Sequence, residues 1–260
     1  NFIYAVQVAT SAGAAKVEIT ESDLTGMNVV NVAGENAFVT VDKTTLTVVD
    51  NSETEGYAAL AIYYTAENAV IKATNTTINI TGEHTDDTIV AIAAAQGSNI
   101  TIDGSSDEVL FAEAYIEYDG NTALAFDTLE EAVEYAKAGD TVTLLRDVTL
   151  SAILTINKSI TLDGNGYTLT SSAARAINVT GADGVTIKDL TINASGERAI
   201  NVIQNATNVV IENVNATAGN YVVNVAASAP NAVIEIKDST LTGLNTVNVT
   251  AAKTNITIEN

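Results

Sequence analysis

A short apolar pattern returns every 22 to 25 residues through the second half of the chain, and no other feature limits the fold as much. Val185-Thr186-Ile187-Lys188-Asp189 is followed by Val209-Val210-Ile211-Glu212-Asn213, then by Val233-Ile234-Glu235-Ile236-Lys237-Asp238 and Ile256-Thr257-Ile258-Glu259-Asn260. From Ile187 the steps to Ile211, Ile236 and Ile258 are 24, 25 and 22 residues. A second register holds Leu190-Thr191-Ile192, Val214 and Leu241. A third holds Ile177-Asn178-Val179, Ile200-Asn201-Val202, Val223-Asn224-Val225 and Val247-Asn248-Val249. Segments this short cannot bury a face alone. Stacked on their equivalents about 4.8 Å apart, they share one core, so the pattern predicts a solenoid with three strands per turn.

The first half carries the same pattern with longer turns. Val17-Glu18-Ile19, Phe38-Val39-Thr40-Val41, Val70-Ile71-Lys72 and Ile100-Thr101-Ile102 mark its first-strand positions. Residues 51–56 and 83–87 are polar excursions from the coil. Composition agrees: the apolar 47% includes no Trp and only four Phe, and the single Pro is Pro230. Val, Ile and Thr suit pleated strands, and Asn and Gly suit the corners between them.

Between the two series lies a different stretch. Tyr115–Tyr118 and Ala123–Phe126 flank Asp119-Gly120-Asn121, a hairpin signal. A helix over 128–137 follows. Asp127 is placed to cap it with Glu130 reaching back, and Leu129, Ala132, Val133 and Ala136 form one apolar stripe. Gly139 is placed to end it in a left-handed conformation. Alternation then resumes at Val142, Leu144, Val148 and Leu150. The expected division is 1–112 as one stack, 113–140 as hairpin plus capping helix, and 141–260 as the next stack.

A longer repeat overlies the short one. Residues 1–43 align without a gap onto 218–260, an offset of 217, with 18 identities in the 43 pairs. The expectation is a window on a tandem array, or a subunit whose ends dock on further copies. The assembly ends are then Asn1, Ile3, Tyr4, Val6 and Val8 at one extreme and Ile256, Ile258 and Asn260 at the other.

The rung pattern resembles the right-handed parallel β-helix of the pectate-lyase-like superfamily. TLEEAVEYAKAGDTVTLLRDVTL (128–150) followed by SITLDGNGYTLT (159–170) is similar to the capping and first-rung segment of β-helix regions in large prokaryotic cell-surface, adhesin-like proteins. The resemblance implies an all-β fold: a right-handed parallel β-helix with a short capping helix and hairpin at the junction of two stacks. It also implies an extracellular or cell-surface location.

Charge narrows the partners. With 32 acidic against 11 basic residues, the net charge of −21 argues against nucleic acid and against an anionic membrane surface. No apolar run approaches the roughly 20 residues a spanning helix needs, so no membrane insertion is expected. Without Cys there is no disulfide or thiolate metal site.

Candidate chemistry is thin, and no catalytic residue is assigned. His84 is the only His, so neither a triad nor a transition-metal site can form around it. Asp103, Asp107, Asp163 and Asp189 are scattered at turns rather than paired as a glycosidase requires. Asp163-Gly164-Asn165-Gly166 has a calcium-loop look, but the twelfth position is Ala174, not Glu, and a Gly-rich turn is the expectation. No metal site or cofactor is assigned; the acidic loops 50–55 and 83–87 leave only weak Ca²⁺ binding open.

Arg175 and Arg198 begin two Arg-Ala-Ile-Asn-Val segments 23 residues apart and should stack, with Asp183, Asp189 and Glu197 as expected partners. Tyr57, Tyr63 and Tyr64 form the best aromatic group. Asn31, Asn178, Asn201, Asn224 and Asn248 lie between apolar neighbours, which predicts an outward-facing amide ladder. Asn-X-Ser/Thr triplets at Asn75, Asn79, Asn99, Asn157, Asn178, Asn193, Asn205, Asn215, Asn248 and Asn255 are candidate glycosylation sites in an exporting host.

The expected function is a structural repeat module of an extracellular fibre, sheath or surface adhesin, built by end-to-end stacking and not an enzyme. Its expected partners are further copies or adjacent repeats, and surface carbohydrate. The competing expectation is a carbohydrate-binding or polysaccharide-lyase-like β-helix.

Overall fold

A computed structural model describes residues 4–50, 58–82, 90–95, 97–103, 112–118 and 122–259. The chain is a β-solenoid of stacked parallel strands with one short helix. It divides into two compact units, Asn1–Ala112 with Ala123–Asp127, and Glu113–Thr122 with Thr128–Asn260.

In the first unit three columns of strands stack in parallel. One runs Tyr4–Val8, Asn28–Val32, Leu60–Ile62 and Ala91–Ala93; the next runs Lys16–Thr20, Phe38–Asp42, Val70–Thr74 and Asn99–Asp103. The third holds Asp23–Gly26, Thr45–Asp50 and Thr77–Gly82. The register places Val17 under Val39, Ile71 and Ile100, the phase read from the sequence. Alternate residues enter the core, where Val30, Val32, Leu46, Leu60 and Ile71 are buried.

The corner between the second and third columns is left-handed at every turn: Glu21, Lys43 and Asn75 have φ near +50°. Each donates its N–H to the rung above, Glu21 to Asp42 O, Lys43 to Thr74 O and Asn75 to Asp103 O. The residue after each corner, Ser22, Thr44 or Thr76, returns its hydroxyl to the carbonyl two positions back. These bonds hold Glu21 and Lys43 in a region that costs a side-chain-bearing residue about 1–2 kcal/mol.

The second unit repeats the plan. Ile187, Ile211, Ile236 and Ile258 are direct partners up one column. Ile177, Ile200, Val223 and Val247 are partners up another. The second register needs one adjustment: Leu241 pairs with Ala216 and so shares the column of Ile192, not that of Val214. The long strands Asp183–Ala194 and Thr207–Thr217 pass through left-handed corners at Asp189 and Asn213, where the three-column plan bends.

The start of this unit is closed. Ala114–Tyr118 pairs antiparallel with Thr141–Leu144. The helix Leu129–Tyr135 packs on Thr141–Leu144 and Leu154–Ile156, burying Leu129, Ala132 and Val133. Ala136, also buried, is its C-cap. The helix differs from expectation at both ends. Its N-cap is Thr128, whose hydroxyl accepts the Glu131 N–H at 3.3 Å, rather than Asp127 with Glu130. The Glu113 carboxylate accepts the Leu129 N–H at 3.0 Å, which selects Thr128 over the equally suitable Asp127. Gly139 is left-handed, with φ +95°, but lies three residues past the C-cap in a separate turn. The orphan helix carbonyls are met instead by Lys158, whose ammonium donates to Val133 O, Glu134 O and Ala136 O.

Candidate functional site

The stack of the second unit ends without a cover. Asn245–Val249 and Asn255–Glu259 are the last strands of their columns and have a strand partner on one side only among the described residues. Val249 is 42% exposed and Ile258 62% exposed. Leu244, beside them, is exposed as well. An apolar strand edge of this kind offers unpaired N–H and C=O groups together with uncovered core side chains.

The first unit shows what such a rung looks like when covered. Strands Tyr4–Val8, Lys16–Thr20, Asn28–Val32 and Phe38–Asp42 recur 217 residues later as Tyr221–Val225, Val233–Lys237, Asn245–Val249 and Asn255–Glu259. Left-handed Ala14, Glu21 and Asn36 recur as Asn231, Asp238 and Lys253. The bond from Glu21 N–H to Asp42 O recurs from Asp238 to Glu259, and that from Ala33 N–H to Val8 O recurs from Thr250 to Val225. The duplication is therefore structural as well as sequential. In the first unit Val32 and Val41, the equivalents of Val249 and Ile258, are both 0% exposed. They lie under the rung Leu60–Ile62 and Val70–Thr74.

The opposite edge belongs to the first unit. Tyr4–Val8, Lys16–Thr20 and Asp23–Gly26 each end a column among the described residues. Tyr4 is exposed, Val6, Val17 and Leu24 are half-buried, and Val8 is buried by the rung above. The assembly-end residues Tyr4, Val6, Val8, Ile256 and Ile258 thus all lie on edge strands. Asn1, Ile3 and Asn260 lie outside the described residues. So do Tyr57, His84, Asp107, the Asp119–Asn121 turn and the loops 51–55 and 83–87.

The Asn column forms a continuous ladder in the second unit. Asn201 Nδ2 donates to Asn178 Oδ1 at 2.8 Å, Asn224 to Asn201 at 2.7 Å and Asn248 to Asn224 at 2.7 Å. It is not the solvated outer strip that the sequence suggests: Asn201 and Asn224 are 2% and 4% exposed. Burial in low dielectric makes the amide chain worth more and removes it as a sugar- or ice-binding surface. In the first unit Asn31 is buried too, but its column neighbours are Gln7 and Ala61, so the ladder does not extend there.

Arg175 and Arg198 stack as expected, with Tyr221 next in the column. Their expected carboxylate partners are mostly engaged elsewhere. Asp183 accepts from Asn208 Nδ2 at 2.6 Å, and Asp189 accepts from Asn213 and Lys188. Only Glu197 reaches, 3.7 Å from Arg198. The Arg198 guanidinium lies 5.8 Å from the Tyr221 ring centroid, and neither Arg Nε has a hydrogen-bond partner. Tyr63 and Tyr64 pack at 4.4 Å between ring centroids, tilted 45°.

Lys188 organises the remaining charge. Its ammonium lies 2.6 Å from Asp163 and 3.2 Å from Asp189, and the bond to Asp163 raises its pKa above the ordinary lysine value. The Asn213 amide, then Lys188, holds the Asp189 carboxyl below the usual range. The Asp163–Gly166 segment is a turn between strands Thr161–Asp163 and Thr168–Ser171, with Asp163 accepting the Asn165 N–H. Among the described residues no cluster of three metal-ligating side chains occurs. Of the candidate glycosylation sites, Asn178 and Asn248 are committed to the ladder and Asn75 donates to Asp42. Asn79, Asn99, Asn157, Asn193, Asn205, Asn215 and Asn255 are exposed.

The chain matches no protein-family model, no curated protein and no solved structure. Function therefore rests on the edges and columns themselves.

Proposed function

We propose that this chain is a structural module of an extracellular or cell-surface assembly, joined end to end through its uncovered rungs. The observation that carries the reading is the contrast at one repeat's distance: the same rung positions are sealed in the first unit and open at 245–259. Adding a parallel strand to each open column satisfies the edge backbone and buries Val249 and Ile258 together. Because the two open edges differ, the contact is heterologous and does not close on itself, so it propagates as a fibre or sheath. The resemblance to adhesin-like β-helix regions supports the surface location, and the assembly requires no catalytic step. Sedimentation velocity over a hundredfold concentration range tests it: species should grow with concentration, and Ile258→Asp should return them to monomer. A parent that sediments as monomer throughout refutes the reading.

One observation favours a second role for the same module, binding of acidic surface carbohydrate. Two like-charged guanidinium groups stack on successive rungs with a single carboxylate at 3.7 Å and a tyrosine ring beside them. A uronate-bearing glycan would bring carboxylates to the guanidinium groups and a sugar face to Tyr221. Titration with oligogalacturonate should show binding that Arg175→Ala/Arg198→Ala removes; equal binding by the double variant refutes it.

A further inference from the structure

The two open edges are in phase with one another, and we infer that the partner of the 245–259 edge is the 4–26 edge of a second copy, in one defined register. This rests on the assembly reading above and assigns its contact residue by residue. The stacking rule comes from the molecule itself. Tyr4–Val8 occupies the repeat position of Tyr221–Val225, a rung that rests on Arg198–Ile203 in parallel. Its own lower side therefore has the form that seats on such a strand. Asn245–Val249 presents a free upper side with the same Val-Asn-Val pattern as the Ile-Asn-Val of 200–202.

Seating one on the other places Val6 over Val247 and Val8 over Val249. In the adjoining column Val17 falls over Ile256 and Ile19 over Ile258. A slip of one residue would turn every one of these to the wrong face. The flanking pairs become Lys16 with Asn255, Glu18 with Thr257 and Thr20 with Glu259. No two like charges meet, which matters for a chain carrying −21.

The amide ladder selects the direction. Each Asn donates from Nδ2 to the Oδ1 of the rung before it, so Asn248 ends the column with Oδ1 facing the rung that would follow. In the first unit the residue in this column on Tyr4–Val8 is Gln7, paired with Asn31. Gln7 of a second copy supplies an N–H donor to Asn248 Oδ1 and extends the buried ladder across the junction. It is exposed in the isolated chain. A reversed or head-to-head contact gives Asn248 no such donor.

The chain has no cysteine, so engineered pairs report the register cleanly. Glu18→Cys with Thr257→Cys brings two Cα atoms to about 4.8 Å in neighbouring copies, within the usual disulfide span. Glu18→Cys with Asn255→Cys is the slipped control. Under mild oxidation the first double variant should give a covalent ladder of oligomers at least tenfold faster than the second. Gln7→Glu, which removes the donor, should weaken assembly about tenfold while leaving the circular dichroism spectrum unchanged. Assembly with equal or faster cross-linking of the slipped pair, or with Gln7→Glu behaving as the parent, overturns the register and leaves end-to-end assembly standing. A parent that never assembles overturns both.

Discussion

Asn224→Ala removes the middle of the buried ladder, and its cost follows from the bonds it breaks. Asn224 donates to Asn201 Oδ1 and accepts from Asn248 Nδ2, each at 2.7 Å. After substitution Asn201 Oδ1 is left without its amide donor in a residue only 2% exposed. A stranded buried acceptor costs about 1–3 kcal/mol, and a lost neutral bond about 1 kcal/mol. Asn248 is half-buried and recovers part of its loss from water. The expected total is about 2–4 kcal/mol, against about 1 kcal/mol for Asn248→Ala at the end of the column. Replacing Asn178, Asn201, Asn224 and Asn248 together by Val should cost less than the sum of the single changes, because no amide is then stranded. Urea unfolding with an unchanged m-value measures all of these. A shift below about 0.5 kcal/mol for Asn224→Ala, or equal costs at Asn224 and Asn248, would refute a buried, cooperative ladder.

Lys158→Met keeps the aliphatic stem but strands three helix-terminal carbonyls, so it should lower stability by about 1–2 kcal/mol and raise amide exchange within 129–136 first. Gly196→Ala would set a Cβ 1.9 Å from Ala173 O, a backbone clash that should cost about 3 kcal/mol or prevent folding, whereas Gly13→Pro should stabilise by about 0.4–1 kcal/mol because Pro230 already fills the equivalent position; thermal melts of the two variants separate these outcomes. Asp189 has its carboxyl pKa held down by Asn213, so its contribution is present above the ordinary carboxylate pKa and is lost as pH falls through the lowered one. The stability gap between the parent and Asn213→Ala should therefore be flat from about pH 5 to 8 and close below about pH 4; a gap that persists at pH 2 points to another cause.

The rungs were legible because a period of two within a period of 22 to 25 leaves one register that buries Ile187, Ile211, Ile236 and Ile258 together. The 217-residue duplication was legible for the same reason, and the recurrence of left-handed Ala14, Glu21 and Asn36 at Asn231, Asp238 and Lys253 gives it a backbone meaning. The helix stripe was legible, but its caps were not. Asp127 and Thr128 are both good caps side by side, and the choice between them comes from Glu113, sixteen residues before Leu129. Lys158 lies more than twenty residues beyond the carbonyls it serves, and only the stacking of Leu154–Ile156 against the helix brings it there. Alternation also misled at the Asn column: apolar residues on both sides of Asn201 point to an outward amide, yet the residue is buried with its neighbours. Of the candidate site, the edge strands were readable from the repeat. The unshared guanidinium groups were not, since the competing partners of Asp183 and Asp189 are neighbours in the stack rather than in the chain.

Negative-stain electron microscopy of the unproteolysed protein, beside Ile258→Asp, tests end-to-end assembly most directly. Stacking through the open rungs predicts fibres with a regular axial repeat in the parent and their loss in the variant. Discrete single particles in both, at every concentration, would contradict it.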